Sequence, residues 1–367
     1  MKVIIVEPHP YHYEVVAGVL EYFYDLGYET TIYVRENFDE KDVLCRYGRN
    51  VIVEKYKGDT ELKNKMKDVS VSEYDLVFFS SLEYYHEDKK ESILKFLGEI
   101  PKTKYGFLGI YHNLDIISED EMKYLKEGRI FTLSEFEYKG IKTSILSAHA
   151  FGKISIKKEL NDNRKIVLIG LSNRRMLIEN AVEKLMSEGE YNGLDIVVIG
   201  QLKWYKDFVK RFISNIIYKL CKLCKLKTPY EKCTIRSWKQ VKLIGKISFE
   251  KMFSLIEECD FIGIILDYED YQTKAFLKYK TSGSKQLAYG FCKPVIISSQ
   301  YAKCYGFNEN NSIVYEGNDV YDALTKVKYI NNNDYYGLVD CLKKDSDELY
   351  KKSIYNLRKA IEGIEEL

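Results

Sequence analysis

The sequence predicts an α/β protein made of two doubly wound domains that face each other across a cleft. Three observations carry that expectation. Short β-branched or aromatic runs alternate with helical patterns along the chain. The alternation pauses at the polar, turn-forming cluster Asn161-Asp162-Asn163 and then restarts. The length of 367 residues is more than one ordinary core needs and suits two.

In the first series Lys2–Val6 reads as a strand. Glu14–Leu26 carries Val15, Val16, Val19, Leu20 and Phe23 at helical spacing, Gly27 ends it, and Thr30–Val34 is the next strand. Strands are expected at Val51–Val53, Leu76–Phe79, Tyr105–Ile110, Ile130–Leu133 and Ser144–Leu146, with helices at Lys90–Leu97 and Glu119–Glu127. In the second series the expected strands are Lys165–Ile169, Asp195–Ile199, Val241–Ile244, Phe261–Leu266, Lys293–Ile297 and Ile313–Tyr315. Helices are expected at Arg175–Ser187, Phe249–Cys259, Lys285–Tyr289, Asp319–Val327 and Ser346–Leu367. Alternation of this kind implies parallel sheets covered on both faces, with ligands beyond the carboxyl ends of the strands. The expected units are 1–155, 156–345 with a basic insertion at 203–235, and a terminal helix at 346–367.

Apolar residues make up 46% and charged residues 30%, the profile of a soluble globular protein. A net charge of +1 argues against nucleic acid as a partner. No run reaches the roughly 18 apolar residues of a membrane-spanning helix, and the first residues read as a strand rather than a signal peptide. The expectation is a cytoplasmic protein whose eight cysteines are reduced thiols. Cys221 and Cys224 match C-x-x-C, but no second pair completes a zinc set.

Three loops are candidates for chemistry. Lys280-Thr281-Ser282-Gly283-Ser284 precedes a helix, where unpaired N–H groups, hydroxyls and lysines suit a phosphate or diphosphate. Helix capping would explain the serines but not Lys280 and Lys285 together. Gly170-Leu171-Ser172-Asn173-Arg174-Arg175 follows the first strand of the second series. Its arginines would clamp a diphosphate, or else be solvated. G-x-G-x-x-G is missing after either first strand, as is a Walker A sequence. In the first series, Glu7-Pro8-His9-Pro10-Tyr11-His12-Tyr13-Glu14 follows a strand, and His112 follows another. His12, Glu14 or His112 would serve as general base on a hydroxyl, or these are polar loop residues. The spacing is not that of a structural zinc site.

Lys203–Lys227 carries eight bases against Asp207, with Trp204, Phe208, Phe212, Ile216 and Leu220 four apart. It suits either an anionic membrane surface or packing on its own domain.

With these residues in place, the chain resembles bacterial glycosyltransferases of the GT-B fold, with a donor domain of the glycosyltransferase family 1/4 kind. The carriers are KIVLIGLSNRRMLIENAVEKL, VKLIGKISFEKMFSLIEECDFIGIIL and TSGSKQLAYGFCKPVIIS, in order over roughly residues 165–330. FTLSEF at 131–136 is a looser match in the first half. The resemblance implies two Rossmann-like domains and transfer of a sugar from a nucleotide-sugar donor to a glycan or lipid-linked acceptor in cell-surface polysaccharide synthesis. It implies donor contacts at Arg174, Arg175, Gly245, Lys280, Thr281, Ser282, Gly283, Ser284 and Gln286. No cofactor or metal is expected. Many retaining members carry a glutamate in the helix before the Pro-Val strand; here Lys285, Gln286 and Leu287 stand there. Retention or inversion stays open. So do two other readings on the same scaffold: a sugar-nucleotide epimerase or other group transferase, and a non-catalytic partner that binds a nucleotide or glycan.

Overall fold

The computed structural model describes residues 1–9, 12–48, 50–69, 74–86, 89–157, 159–170, 175–200, 240–270 and 273–365, with a few single positions between 213 and 224. Arg174 and nearly all of the basic segment 203–227 lie outside the described residues, as does Cys221.

The first half opens with β1 (Lys2–Glu7), α1 (Tyr13–Asp25), β2 (Glu29–Arg35), α2 (Glu40–Val43), β3 (Ile52–Tyr56), α3 (Asp59–Val69) and β4 (Leu76–Phe79). A hairpin of β5 (Glu83–His86) and β6 (Lys89–Ser92) leads into α4 (Ile93–Leu97). Then come β7 (Phe107–Tyr111), α5 (Met122–Lys126), β8 (Ile130–Thr132), the small hairpin β9 (Glu137–Tyr138) and β10 (Ile141–Lys142), and β11 (Ser144–Ile145). The main sheet has the order β11-β8-β7-β4-β1-β2-β3 and is parallel throughout. Val3 to Val6 of β1 are fully buried, each worth about 1.5–3 kcal/mol of transfer energy. The strand order reverses between β1 and β4, so the crevice opens above their carboxyl ends.

The second half holds β12 (Arg164–Ile169), α6 (Arg175–Ser187), β13 (Leu194–Ile199), β14 (Val241–Ile244), α7 (Phe249–Glu258) and β15 (Phe261–Ile264). It continues with α8 (Gly283–Gly290), β16 (Val295–Ser298), α9 (Ser299–Tyr305), β17 (Ser312–Tyr315), α10 (Val320–Tyr329) and α11 (Asn332–Glu365). Its sheet is parallel in the order β14-β13-β12-β15-β16-β17, reversing between β12 and β15. Asp260, fully buried just before β15, explains the Asn161 cluster. Its carboxylate accepts from Lys165 N at 2.7 Å, Asn161 Nδ2 at 2.9 Å and Asn161 N at 3.1 Å, and so ties the chain entering β12 to the sheet.

Of the elements that differ from expectation, three have a clear physical reason. Lys90–Ser92 is a hairpin strand paired with β5, and the helix begins only at Ile93, where Ser92 Oγ accepts from Leu94 N at 3.1 Å. Helix α3 was not expected because only Leu62, Met66 and Val69 are buried in an otherwise polar run. The terminal helix begins at Asn332 rather than Ser346 and serves both halves. Ser346 Oγ donates to Tyr289 O at 2.9 Å, whereas further along Asn356 Nδ2 donates to Ile145 O at 2.9 Å.

Two helix glycines let the connecting segment pass between the halves. A Cβ on Gly18 would lie 2.2 Å from Ala148 O, and one on Gly290 would lie 2.6 Å from His149 O. Backbone thus touches backbone on both sides of residues 148–149.

Candidate functional site

The carboxyl ends of the adjacent strands β1, β4 and β7 bring four polar segments together. Glu7 closes β1, Ser80 and Ser81 follow β4, His112 follows β7, and His12 starts α1. The rings of His9, His12 and His112 form a stack, with centroids 4.4 Å apart for the first pair and 4.1 Å for the second. Beneath it Glu7 is fully buried. Its carboxylate accepts from His9 N at 2.7 Å, Ser81 Oγ at 2.8 Å and Ser80 Oγ at 2.9 Å. Ser81 Oγ also lies 3.0 Å from His12 Nδ1 and 3.2 Å from His112 Nε2. Burial, then the charges of His112, His9, Lys90 and Lys280, hold the His12 pKa well below that of ordinary imidazole. Burial, with His112, Arg35 and Lys90, lowers His9 to about 4.

The second half meets this cluster directly. Leu114 N donates to Tyr279 O at 3.0 Å, Thr281 N reaches His112 O at 3.4 Å, and Asn113 pairs with Lys280 in an antiparallel bridge. Beside this seam is a cavity of about 340 Å³. Glu14 lines it from the first half, Gly170 and Lys280 to Ser284 from the second, and Phe249, Met252 and Phe276 supply apolar wall. Ser282 is the N-cap of α8 but makes no side-chain cap bond. Thr281 Oγ1 is buried without a hydrogen-bond partner. Donors at a helix start, next to a lysine, suit an anion. Glu14 faces them: a Cβ on Gly283 would lie 3.8 Å from Glu14 Oε1. Burial raises the Glu14 carboxyl to about 7.

A larger cavity of about 520 Å³ lies at the far ends of the same two helices, α1 and α8, around Arg46, His149, Phe151, Gly152 and Tyr350. His149 there is fully engaged, its Nδ1 at 2.9 Å from Ser147 Oγ and its Nε2 at 3.2 Å from Ser346 O. The smaller cavity has the better claim, because it alone adjoins the histidine stack and an uncapped helix start.

Of the residues singled out in the sequence, His12 and His112 share Ser81, and Glu14, Lys280, Thr281, Ser282, Gly283 and Ser284 share the cavity. Gln286 departs from expectation. It is buried, its Nε2 donating to Leu133 O at 3.2 Å and its Oε1 accepting from Ser147 Oγ at 2.6 Å, on a face of α8 that does not line the cavity. Gly245 follows the edge strand β14, two strands from β12, and does not line the cavity either. Arg175 opens α6, and only its backbone is described; the adjoining Gly170 lines the cavity. Ser80, Ser81 and the buried role of Glu7 were not anticipated. The signal was a Ser-Ser pair directly after the apolar strand Leu-Val-Phe-Phe. Among the described residues no three His, Cys, Asp or Glu side chains are grouped to hold a metal ion, and no helix is long and apolar enough to cross a membrane.

No protein-family model matches the chain, and no curated protein matches it significantly. Solved structures do. Anabaena HepE in complex with UDP-glucose is similar over the whole of both chains, with a TM-score of 0.55 at 12% identity. HepE in complex with UDP and glucose gives 0.54, also at 12% and full coverage. AviGT4, a glycosyltransferase involved in avilamycin A biosynthesis, gives 0.51 at 14% identity, over 97% of this chain and 98% of that one. The fold is therefore GT-B: two Rossmann-like α/β halves across a cleft, as the sequence led us to expect.

Proposed function

We propose that the protein is a glycosyltransferase that moves a sugar from a nucleotide-sugar donor to a hydroxyl of a glycan or lipid-linked acceptor. The observation that carries this reading is the cavity where the uncapped start of α8, with Lys280 and the unpartnered Thr281 hydroxyl, faces the first-half bases. The UDP and UDP-glucose of the HepE complexes support a donor of this class.

The chemistry follows from the placement. The donor diphosphate sits against Gly283 and Ser284, and its charge grows as the sugar bond breaks. Lys280 and the helix start stabilise that charge without a metal ion. Arg174 and Arg175 add to it in this reading. The acceptor approaches from the first half, where His12, Glu14 or His112 takes its proton. Closure of the two halves keeps water from the donor. The pathway is cell-surface polysaccharide synthesis, and residues 203–227 hold the enzyme against the inner face of the membrane.

A panel of nucleotide sugars in thermal shift, followed by hydrolysis and transfer assays, tests the reading. A binder raises the melting temperature with the logarithm of its excess over Kd. Absence of stabilisation across the panel refutes it.

A further inference from the structure

We propose that Glu7 and Ser81 form a proton relay behind His12, carrying the acceptor's proton out of the cleft and storing it on the Glu7 carboxylate. The relay rests on the transferase reading through the base role of His12.

The hydrogen bonds set its direction. A hydroxyl has one proton to give and two lone pairs. Ser81 Oγ lies 2.8 Å from Glu7 Oε2, in a carboxylate already surrounded by two other donors, His9 N and Ser80 Oγ. Ser81 therefore donates to Glu7. His12 Nδ1, 3.0 Å from the same Oγ, must donate to it. That leaves the His12 lone pair on Nε2, on the opposite ring edge, which has no hydrogen-bond partner among the described residues. His112 is fixed independently. Its Nε2 lies 3.0 Å from the Ser80 carbonyl, which only accepts, so this nitrogen carries the proton and shares it with Ser81 at 3.2 Å. Every bonding capacity of Ser81 is then used.

The charges around the chain explain why the proton should move on. His9 from its own loop, His112 after β7, Lys90 from β6 and Lys280 from the second half face His12, and with burial they disfavour its imidazolium. Glu7 is shifted the opposite way, its carboxyl raised well above the usual value by burial, with Glu14 adding, against the pull of its three donors. The two shifts run in opposite directions, so they narrow the ordinary preference of a proton for imidazole over carboxylate and favour its passage along the hydrogen bonds to Glu7. The step balances. The acceptor oxygen bonds the sugar carbon while its O–H breaks, and that proton joins His12 Nε2. The Nδ1 proton passes to Ser81 Oγ, the Ser81 proton passes to Glu7 Oε2, and the electron pair of the sugar–phosphate bond leaves with the diphosphate. Glu7 and Ser81 act through His12, as positioning residues.

The test is a pH titration of ¹⁵N-histidine protein by NMR, with His12 assigned among only five histidines by its loss in His12→Gln. In the wild type, high pH should show His12 protonated on Nδ1. As Glu7 takes up its proton, the ring should convert to the neutral tautomer protonated on Nε2. Glu7→Gln and Ser81→Ala should abolish the conversion. Glu7→Gln should also lower turnover about 100-fold with donor affinity unchanged. A His12 that carries its proton on Nε2 at every pH, or goes straight to imidazolium, overturns the relay, and the wild-type titration alone decides this if the variants do not fold. A wild type that shows the conversion but transfers no sugar keeps the relay and refutes the transferase reading instead.

Discussion

Lys285 Nζ, on the helix that borders the cavity, lies 2.7 Å from Ser134 Oγ in the other half of the protein and 3.1 Å from Leu133 O. Burial lowers the pKa of this ammonium to about 7, against about 10.4 in an unfolded chain. Between those values the unfolded chain binds the extra proton, so stability should rise with pH, by up to about 1.4 kcal/mol per unit. Lys285→Met should flatten that rise, since Gln286 still serves Leu133 O. Urea denaturation from pH 7 to 10 measures both slopes, and equal slopes would count against the buried amine.

Lys280 is half-buried at the cavity rim, its Nζ 4.8 Å from the centre of the Phe276 ring. If it balances diphosphate charge, Lys280→Ala should cut turnover by about 100-fold while leaving the melting temperature nearly unchanged. Steady-state kinetics with the best donor from the panel reads the loss. Wild-type rates would place the diphosphate elsewhere.

Gly283→Ala separates site from fold. The added methyl would make only an ordinary contact with Glu14, at 3.8 Å. Alanine is also the better helix former by roughly 0.5–1 kcal/mol. The variant should be at least as stable as the wild type yet bind the donor about tenfold more weakly, a loss of about 1.4 kcal/mol, because the methyl occupies the gap between helix start and carboxyl. Calorimetric Kd and melting temperature are the readouts, and unchanged affinity is the adverse result.

Glu14 should make donor binding pH-dependent. Its carboxyl is raised to about 7, so it ionises through neutrality beside the proposed diphosphate. Affinity should fall as pH rises through 7, because the new negative charge repels the ligand, and Glu14→Gln should remove that fall. The same shift costs stability: the folded state holds the proton between about 4.3 and 7, so the wild type should lose stability over that range and the variant should lose less. Titration calorimetry from pH 5.5 to 8.5 decides the first point.

For the basic segment, replacing Lys206, Lys210 and Arg211 with Glu should abolish binding to anionic liposomes. Binding that survives, or a wild type that never binds, removes the membrane contact from the proposed function.

The fold was readable because its strands are short apolar runs between polar helices. Strand β14 and helix α6 fall at the expected residues, and β1, β12 and β13 within one. What escaped had weak local signals: α3 shows three buried side chains in eleven residues, and β6 depends on its partner strand rather than its own pattern. The site divides the same way. Lys280 to Ser284 announce themselves as one contiguous turn. The Glu7–Ser81–His112 chain joins residues at or just beyond the carboxyl ends of three strands, and no spacing along the sequence reports it. Gln286 misled because a polar residue one turn into a helix looks the same whether it faces a cavity or the other half of the protein.

The close passage of residues 148–149 between Gly18 and Gly290 decides how the cleft can open. That passage is at one end of α8, and the seam of Asn113, Leu114, Tyr279 and Lys280 is at the other, about 12 Å away by helix rise. With one end pinned backbone to backbone, the halves cannot draw straight apart. An opening hinged at the glycines, clamshell fashion, would lift the seam first. The way into the cavity would then be the same line of contacts that holds His112 against the turn of Lys280 to Ser284.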